Sequence, residues 1–541
     1  MHEAAYLLAS FALGSQLLAL VRDRLLASTF GTSRTLDLYY AAFRIPDFLF
    51  ATIASLLSLY ALLPVLSRLS REDEGLMVSF LRQALLIFFV GMGIVSLILF
   101  FLAPTVVPWV VPDIASPTFI LLVRILLLQP ILLGASNILA ALTQLRNRFF
   151  LYSISPLLYN LGIIFGVIAL YPSMGVAGLG WGVVLGALMH MGIQLPFFLS
   201  EKATPKLPLG RTYRELFVVL KLSVPRTLAL AAGQISLFAL VAVASFLSTG
   251  SISVFMFGYN LQAVPLTIIG VSYSVAAFPT LARLYAAGES AAFVRYIETA
   301  LRHIFFWAIP ATVFVVVLRA QLVRVILGAG VFSWEATRLT AAALALCVLS
   351  LAAQSVTLLI ARAYYAAGDS HKPLYYGIVD VVVSVFSALF LLGLFAHNEF
   401  FRAFIESLLR VSDVPGTSVL MLSLGYAIGS IAQFAVAYWY FARDFNIPRA
   451  RLGALVFQSF AASVIGGAVA YGVLATSGMA GTINTTVGLL VQGIVAGSLG
   501  LAATVLTLAL LKNPELKEVF TALGRRFKDV PPPLETTEVS S

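Results

Sequence analysis

The sequence predicts an all-α, polytopic membrane protein of about fourteen transmembrane helices, arranged as two six-helix lobes followed by two further helices. Three observations carry this. The 541 residues are 60% hydrophobic and only 11% charged, with a mean hydropathy of +0.98, whereas charged residues make up about a quarter of a soluble domain. Apolar stretches of at least about 18 residues, enough to cross a hydrocarbon core as a helix, recur along almost the whole chain. Basic residues gather in alternate gaps between those stretches, which is the pattern that orients membrane helices.

The first span, 4–27, holds Arg22, Asp23 and Arg24 in place of a basic start and a small-residue cleavage site, so it reads as a retained helix rather than a signal peptide. Gly31 closes it. The second, 37–64, carries Asp37, Arg44 and Asp47 around an internal Pro46, which removes a backbone hydrogen bond. The third to sixth, 77–102, 117–144, 149–171 and 174–199, complete an N-terminal lobe over 1–200. The segment 163–170 is apolar on every face, which excludes the alternating pattern of a membrane β-strand. Arg82 and Arg124 lie near span ends or lobe contacts and read as structural.

The seventh to twelfth spans, 214–247, 252–282, 298–319, 336–362, 373–395 and 416–441, form a second lobe over 212–445. Arg226 follows Pro225 near one end of the seventh, where it either lines a site or snorkels to the interface. The one cysteine, Cys347, sits in an apolar helix, excludes an internal disulfide and reads as a small packing residue. Asp380, in the middle of the eleventh span, is either a proton or cation site or half of a buried pair. An insert at 396–413 sets Phe400, Phe401, Phe404, Ile405, Leu408 and Leu409 at helical spacing among charges. It suits a helix on the membrane surface or a solvated helix packed on its neighbours. Spans thirteen and fourteen, 452–475 and 484–511, make an additional pair over 450–512. A tail at 513–541 begins with a short helix capped by Asn513 and Pro514 and is expected to be disordered from Pro531.

Arg68, Arg71, Arg146, Arg148, Lys202, Lys206, Arg211, Arg214, Lys221, Arg283, Arg295, Arg302, Arg362, Lys372, Arg443, Arg449 and Arg451 flank the even-numbered gaps, and Lys512, Lys517, Arg525, Arg526 and Lys528 follow the last span. Those gaps and both termini are therefore expected in the cytoplasm. The net charge of +10 is spent on topology, not gathered into a basic face with aromatics, so no nucleic acid is expected as a partner.

Residues 63–69, ending the second span, resemble 278–284, ending the eighth, and both spans contain a proline, Pro46 and Pro265. Six spans separate the copies, so the repeat relates two parallel lobes. An ionisable side chain at the bilayer centre costs at least about 2.5 kcal/mol. The charges of the first two spans therefore face a hydrated central cavity or form ion pairs that pin the two helices together. Phosphate-loop and HExxH motifs are missing and the five histidines are scattered, so neither an enzyme nor a metal or other cofactor is expected.

A set of short motifs runs through the chain: Ser15, Val21-Arg22-Asp23, Phe30-Gly31, Asp37, Ala42-Phe43-Arg44-Ile45-Pro46 and Pro64, then Pro156-Leu157-Leu158-Tyr159-Asn160-Leu161-Gly162. Pro225-Arg226, Gln234-Ile235, Pro265-Leu266, Pro279, Gly330-Val331-Phe332, Ala363-Tyr364-Tyr365-Ala366, Asp369 and Pro373 continue it. In these the chain resembles the MurJ (MviN) family of lipid II flippases, within the exporter superfamily that also holds multidrug antiporters and polysaccharide flippases. The resemblance covers residues 8–511. It implies alternating access around a cationic central cavity, a groove for the polyprenyl tail along the last two helices, and a role in peptidoglycan synthesis, and so in cell-wall biogenesis and cell shape, at the bacterial inner membrane.

The chain departs from the family pattern at Gln16, Phe50, the stretch from Ala54 to Leu59, and Asn260, where cations or a glutamate are usual. Arg22 remains, with Arg24 and Arg44 as substitutes. The expected substrate site comprises Ser15, Gln16, Arg22, Asp23, Arg24, Asp37, Arg44, Gln234 and Asn260, with Asp380 for ion coupling. The leading expectation is a flippase for lipid II or another polyprenyl-linked glycan, with membrane lipids and cell-wall synthesis proteins as partners. Alternatives are a cation-coupled small-molecule antiporter and a non-transporting cell-wall scaffold; an open cavity lined by Arg22 would favour the first reading and a collapsed one the last.

Overall fold

The computed structural model describes residues 2–57, 59–204, 206–445, 450–479 and 485–528, with the side chains of 2–9, 59–61, 110, 222, 225, 226, 230, 450–452, 477–479 and 522–528 excepted. The expectations for Arg226, Arg451, Arg449 and the tail from Pro531 therefore fall outside the described side chains. Among the described residues the regular structure is entirely helical.

The N-terminal half contains α1 (His2–Phe30), α2 (Arg34–Ala42), α3 (Arg44–Thr52), α4 (Leu59–Glu72), α5 (Glu74–Val110), α6 (Pro117–Leu126), α7 (Leu128–Leu145), α8 (Phe149–Phe165), α9 (Tyr171–Met174), α10 (Val176–Gly192) and α11 (Leu195–Ser200). The C-terminal half contains α12 (Leu209–Ser245), α13 (Ser251–Leu266), α14 (Ser272–Ala286), α15 (Ser290–Val317), α16 (Arg319–Leu327), α17 (Trp334–Val348), α18 (Leu351–Ala366), α19 (His371–His397), α20 (Glu399–Leu409) and α21 (Leu420–Asp444). The pair α22 (Ala450–Met479) and α23 (Thr486–Leu510) follows, then α24 (Pro514–Lys528).

Helix starts follow their capping residues. Asp73 accepts from the Gly75 amide at 2.6 Å ahead of α5, Ser116 from Phe119 at 3.2 Å ahead of α6, and Asn398 from Phe401 at 2.9 Å ahead of α20. Asn513 does the same for α24, accepting from Leu516 at 3.1 Å, with Pro514 in the first turn as expected.

Eleven helices among the described residues are long and apolar enough to cross a membrane, and two bent pairs raise the number to as many as thirteen. α1, with 29 residues and a length of about 43 Å, is also long enough to span. The second span, expected at 37–64 with irregular backbone near Pro46, is not one continuous helix. It is broken into α2, α3, a 3-10 turn at Ala54–Leu57 and α4, with an overall bend of 42°. The expected tenth span likewise bends by 45° between α17 and α18. In the eighth, the turn after Pro265 widens to a π-turn at Thr267–Val271 that joins α13 to α14.

Packing relies on small residues where helices touch. A Cβ built at Gly162 on α8 would lie 2.2 Å from Gly186 Cα on α10, and one at Gly182 would lie 2.4 Å from Gly166 Cα. These backbones meet because neither carries a side chain there. Gly425 and Gly429 of α21 meet Ala388 and Ser384 of α19 in the same way. On the outside, Leu86, Val90, Ile94, Leu97 and Phe101 of α5 are all exposed on about one face, as a lipid-facing stripe requires. α20 exposes Phe400, Phe404 and Leu408 while burying Ile405, the amphipathic pattern expected of the insert. One hydrophobic cluster fills the N-terminal half, around Phe80 and Leu139, and another the C-terminal half, around Leu301 and Tyr364. A third runs from Leu26 and Tyr40 to Phe257 and Phe332, and so joins the two.

Candidate functional site

The two halves meet around α1, α8 and α13. The Arg22 guanidinium donates to Asp23 Oδ1 through Nε at 2.9 Å and Nη2 at 2.8 Å, and to Asn160 Oδ1 on α8 through Nη1 at 3.0 Å. Asn260 of α13 closes the cluster from the other half, its Nδ2 donating to Asp23 Oδ2 at 3.2 Å. A cavity of about 120 Å³ opens beside this cluster, lined by Arg22, Arg44 and Asn260 with aromatic walls of Tyr39, Tyr40, Phe43 and Tyr159.

Arg44 is held by Asp47, one helical turn on, at 3.1 Å, and by the Tyr40 carbonyl at 3.3 Å. Asp47 in turn accepts from Gln129 of α7 at 3.4 Å. Each arginine of the cavity therefore has its carboxylate on its own helix. The charges do not pin the first two spans to one another; the bonds between elements come from the neutral amides of Asn160, Asn260 and Gln129. Two guanidiniums and two carboxylates leave the cluster formally balanced. An anion entering the cavity must compete with Asp23 and Asp47 for the arginines.

The remaining expected site residues are placed elsewhere. Arg24 does not face the cavity: two residues beyond Arg22 it lies on the other side of α1 and donates to the carbonyls of Val325 and Ile326, at 2.5 and 3.1 Å, at the end of α16. Cations suit that position because the last carbonyls of a helix lack partners. Asp37 is also outside the cavity lining. Its Oδ2 accepts from the Gly250 amide at 2.6 Å, and its Oδ1 accepts from the Ser253 amide at 2.8 Å and the Ser253 hydroxyl at 2.6 Å. It thus caps α13 across the boundary between halves.

The neighbouring turns complete this clamp. Gly31, at φ +61°, packs under Val331, and the Val331 amide donates to the Ser28 carbonyl at 3.0 Å. Gly250, at φ +92°, lies so close to Thr32 that a Cβ would come within 2.5 Å of its carbonyl. Only glycine meets both demands.

Ser15 and Gln16 are half-buried on α1 about two turns from Arg22, and Gln234 is half-buried on α12; none of the three lines the cavity. Asp380 is buried on α19 with no basic partner among the described residues, and its Oδ1 accepts from Ser384 at 3.3 Å. Asn160, Tyr159, Tyr39 and Tyr40 belong to the site and were not singled out by charge. Their signal was proximity in sequence to Arg44 or membership of the Pro156 motif. No group of three or more metal-ligating side chains occurs among the described residues.

Two apolar grooves flank the C-terminal pair. One, of about 410 Å³, lies between α22 and the C-terminal half and includes Phe305, Phe434, Phe457 and Phe460. The other, of about 180 Å³, lies between α16 and α23 and includes Leu322, Ile326, Leu490 and Ile494.

At the opposite, basic end, Arg146 pairs with Glu74 at 2.7 Å and Glu201 at 3.1 Å, while α12 is tied to α4 by Arg211 with Glu72 and by Arg68 with Glu215. The adjacent carboxylates hold the Arg146 guanidinium above its ordinary pKa, Glu74 contributing most. The two halves are thus tied to each other at both ends of the bundle.

Comparison with known proteins agrees with this architecture. The probable lipid II flippase MurJ of Thermotoga maritima is 28% identical over 387 residues, covering 70% of this chain and 77% of that protein. The lipid II flippase MurJ of Burkholderia cenocepacia is 24% identical over 411 residues, covering 73% and 79%. Among solved structures, lipid II flippase MurJ in an inward closed conformation aligns with a TM-score of 0.71 at 18% identity, over 94% of this chain and all of that one. An inward-facing multidrug transporter of the MATE family, from the MOP superfamily, aligns with a TM-score of 0.64 at 13% identity, over 80% and 94%. The family model described as lipid II flippase MurJ matches residues 26–491, and the chain belongs to that family.

Proposed function

We propose that this multi-span membrane protein is a transporter, not an enzyme, that moves lipid II from the inner to the outer leaflet of the bacterial cytoplasmic membrane by alternating access. The observation that carries the reading is the cluster of Arg22, Asp23, Asn160 and Asn260, which sits in an apolar interior where the two halves meet. A charged group there is costly even when paired, and charges kept inside membrane bundles mark substrate pathways.

In the closed form the cavity holds about 120 Å³, far less than a lipid-linked disaccharide needs, so passage requires the halves to part. A collapsed cavity is what a non-transporting scaffold would show, but a closed resting form of a member of a flippase family explains it equally and keeps the polar cluster in use. On opening, the pyrophosphate takes Arg22 and Arg44 from Asp23 and Asp47, and the polyprenyl tail lies in the apolar grooves beside α22 and α23. The proposed lobes are 1–200 and 212–445, with 450–512 carrying the tail groove. Both termini and the basic end face the cytoplasm, where cell-wall synthesis proteins supply the substrate.

Asp380 is assigned any ion coupling, because a buried carboxylate without a basic partner is a site for a proton or cation. No cofactor is proposed. The test is rescue of a strain depleted of its own lipid II flippase. Growth without lysis supports the reading, and lysis despite normal membrane levels of the protein removes it.

A further inference from the structure

Arg319, Arg338 and Arg410 come from three separate stretches and line one cavity of about 620 Å³ at the end of the bundle away from the basic one. None of them belongs to the Arg22 cluster. Arg338, on α17, is fully engaged: its two terminal nitrogens donate to Asp413 at 2.7 and 2.6 Å, and one also reaches the Arg410 carbonyl. The other two have no carboxylate within ion-pair distance among the described residues. Arg319 donates to the Val316 carbonyl at 2.8 Å, and Arg410 donates to the Tyr471 hydroxyl, its guanidinium carbon 5.6 Å from that ring.

Two further observations mark this place. Arg319 and Arg410 share the cavity with no carboxylate within ion-pair distance of either among the described residues, so the two cations repel without a counter-charge. Arg410 also ends α20 at φ +60°, the left-handed position that glycine occupies at lower cost. The chain keeps an arginine in a conformation unfavourable to it, aimed into a cavity that already holds another.

We propose that this cavity is a second anion site, which binds a phosphate-bearing group through Arg319 and Arg410 while Asp413 fixes Arg338 at its rim. Guanidinium forks match phosphate oxygens in pairs. The same chemistry is offered by free pyrophosphate and by the headgroup of an anionic lipid. The inference stands apart from the flippase reading, since it uses none of the residues of the central cavity.

The purified full chain is titrated with inorganic pyrophosphate by calorimetry, and phosphatidylglycerol retained from mixed-lipid nanodiscs is measured by native mass spectrometry. Wild type is compared with Arg319→Gln/Arg410→Gln and with Arg22→Gln. A loss of at least tenfold in pyrophosphate affinity confined to the double variant supports the site with a free anion as ligand. Loss of phosphatidylglycerol alone supports it with a lipid. Pyrophosphate binding that disappears in Arg22→Gln and persists in the double variant puts the anion in the central cavity and overturns the proposal. On wild type, either ligand is expected to protect Arg319 and Arg410 from phenylglyoxal; absence of protection by both overturns it even if the double variant does not fold.

Discussion

Replacing Asp37 with alanine removes the three hydrogen bonds that join α2 to the start of α13 across the two halves. Two of the donors are buried backbone amides, and leaving such a group without a partner costs about 1–3 kcal/mol. With some relief from entering water the total is about 2–4 kcal/mol, lost only by the form in which the two halves touch at this end. That corresponds to a shift of about 30- to 1000-fold in the equilibrium between closed and open, so that an open form held at about 1% rises to between about a fifth and nine-tenths. Spin labels at Ser173 and Ser412, both exposed at this end on opposite halves, report the change by electron double resonance. Wild type is expected to give one distance population and the variant a second, longer one. An unchanged distribution from a folded variant would refute the idea that Asp37 holds the halves together.

Arg22→Ala leaves the buried Asp23 carboxylate short of its cation and is expected to cost about 3–5 kcal/mol in detergent unfolding. Adding Asp23→Asn should restore most of that stability without restoring rescue of a flippase-depleted strain; recovered growth would make Arg22 a packing residue. Gly162→Ala drives a Cβ into the Gly186 backbone and is expected to destabilise by about 1–3 kcal/mol, whereas Gly91→Ala, which meets nothing, stays within about 0.5 kcal/mol; equal unfolding temperatures would contradict the α8–α10 contact. Single cysteines at Glu289 and Ser412, both exposed, should label from the cytoplasm and from outside respectively, with buried Cys347 silent; reversed labelling would invert the topology.

The spans were legible because a lipid solvent demands about twenty apolar residues in a row, a signal that does not depend on which helix neighbours which. Arg22 was legible for the related reason that charge in such a stretch needs an explanation. Arg24 was not separable from it by composition alone, although two residues correspond to about 200° around a helix and put the pair on opposite sides. Asp37 was grouped with the cavity because it is near Arg22 in sequence. Nine residues of helix, about 14 Å, and the turn at Gly31 carry it to the far end. The partners Asn160 and Asn260 lie 138 and 237 positions from the residues they bind, and only the packing of α1, α8 and α13 brings them together. Irregular backbone in the second span was signalled by Pro46, whereas the bend in the tenth escaped notice because hydropathy averages over it.

α12 belongs to the C-terminal half by sequence, yet it packs against α3, α4 and the turn at Ala54–Leu57 as well as against α19. Its 37 residues make a rod about 55 Å long. Tilting such a rod by about 10° about its middle carries each end about 5 Å in opposite directions, so the ties to Glu72 and Arg68 at one end and the start of α13 at the other cannot both stay put. A helix tied to the N-terminal half at one end and leading into α13 at the other thus couples the two faces of the protein, because a tilt that loosens one set of contacts displaces the other.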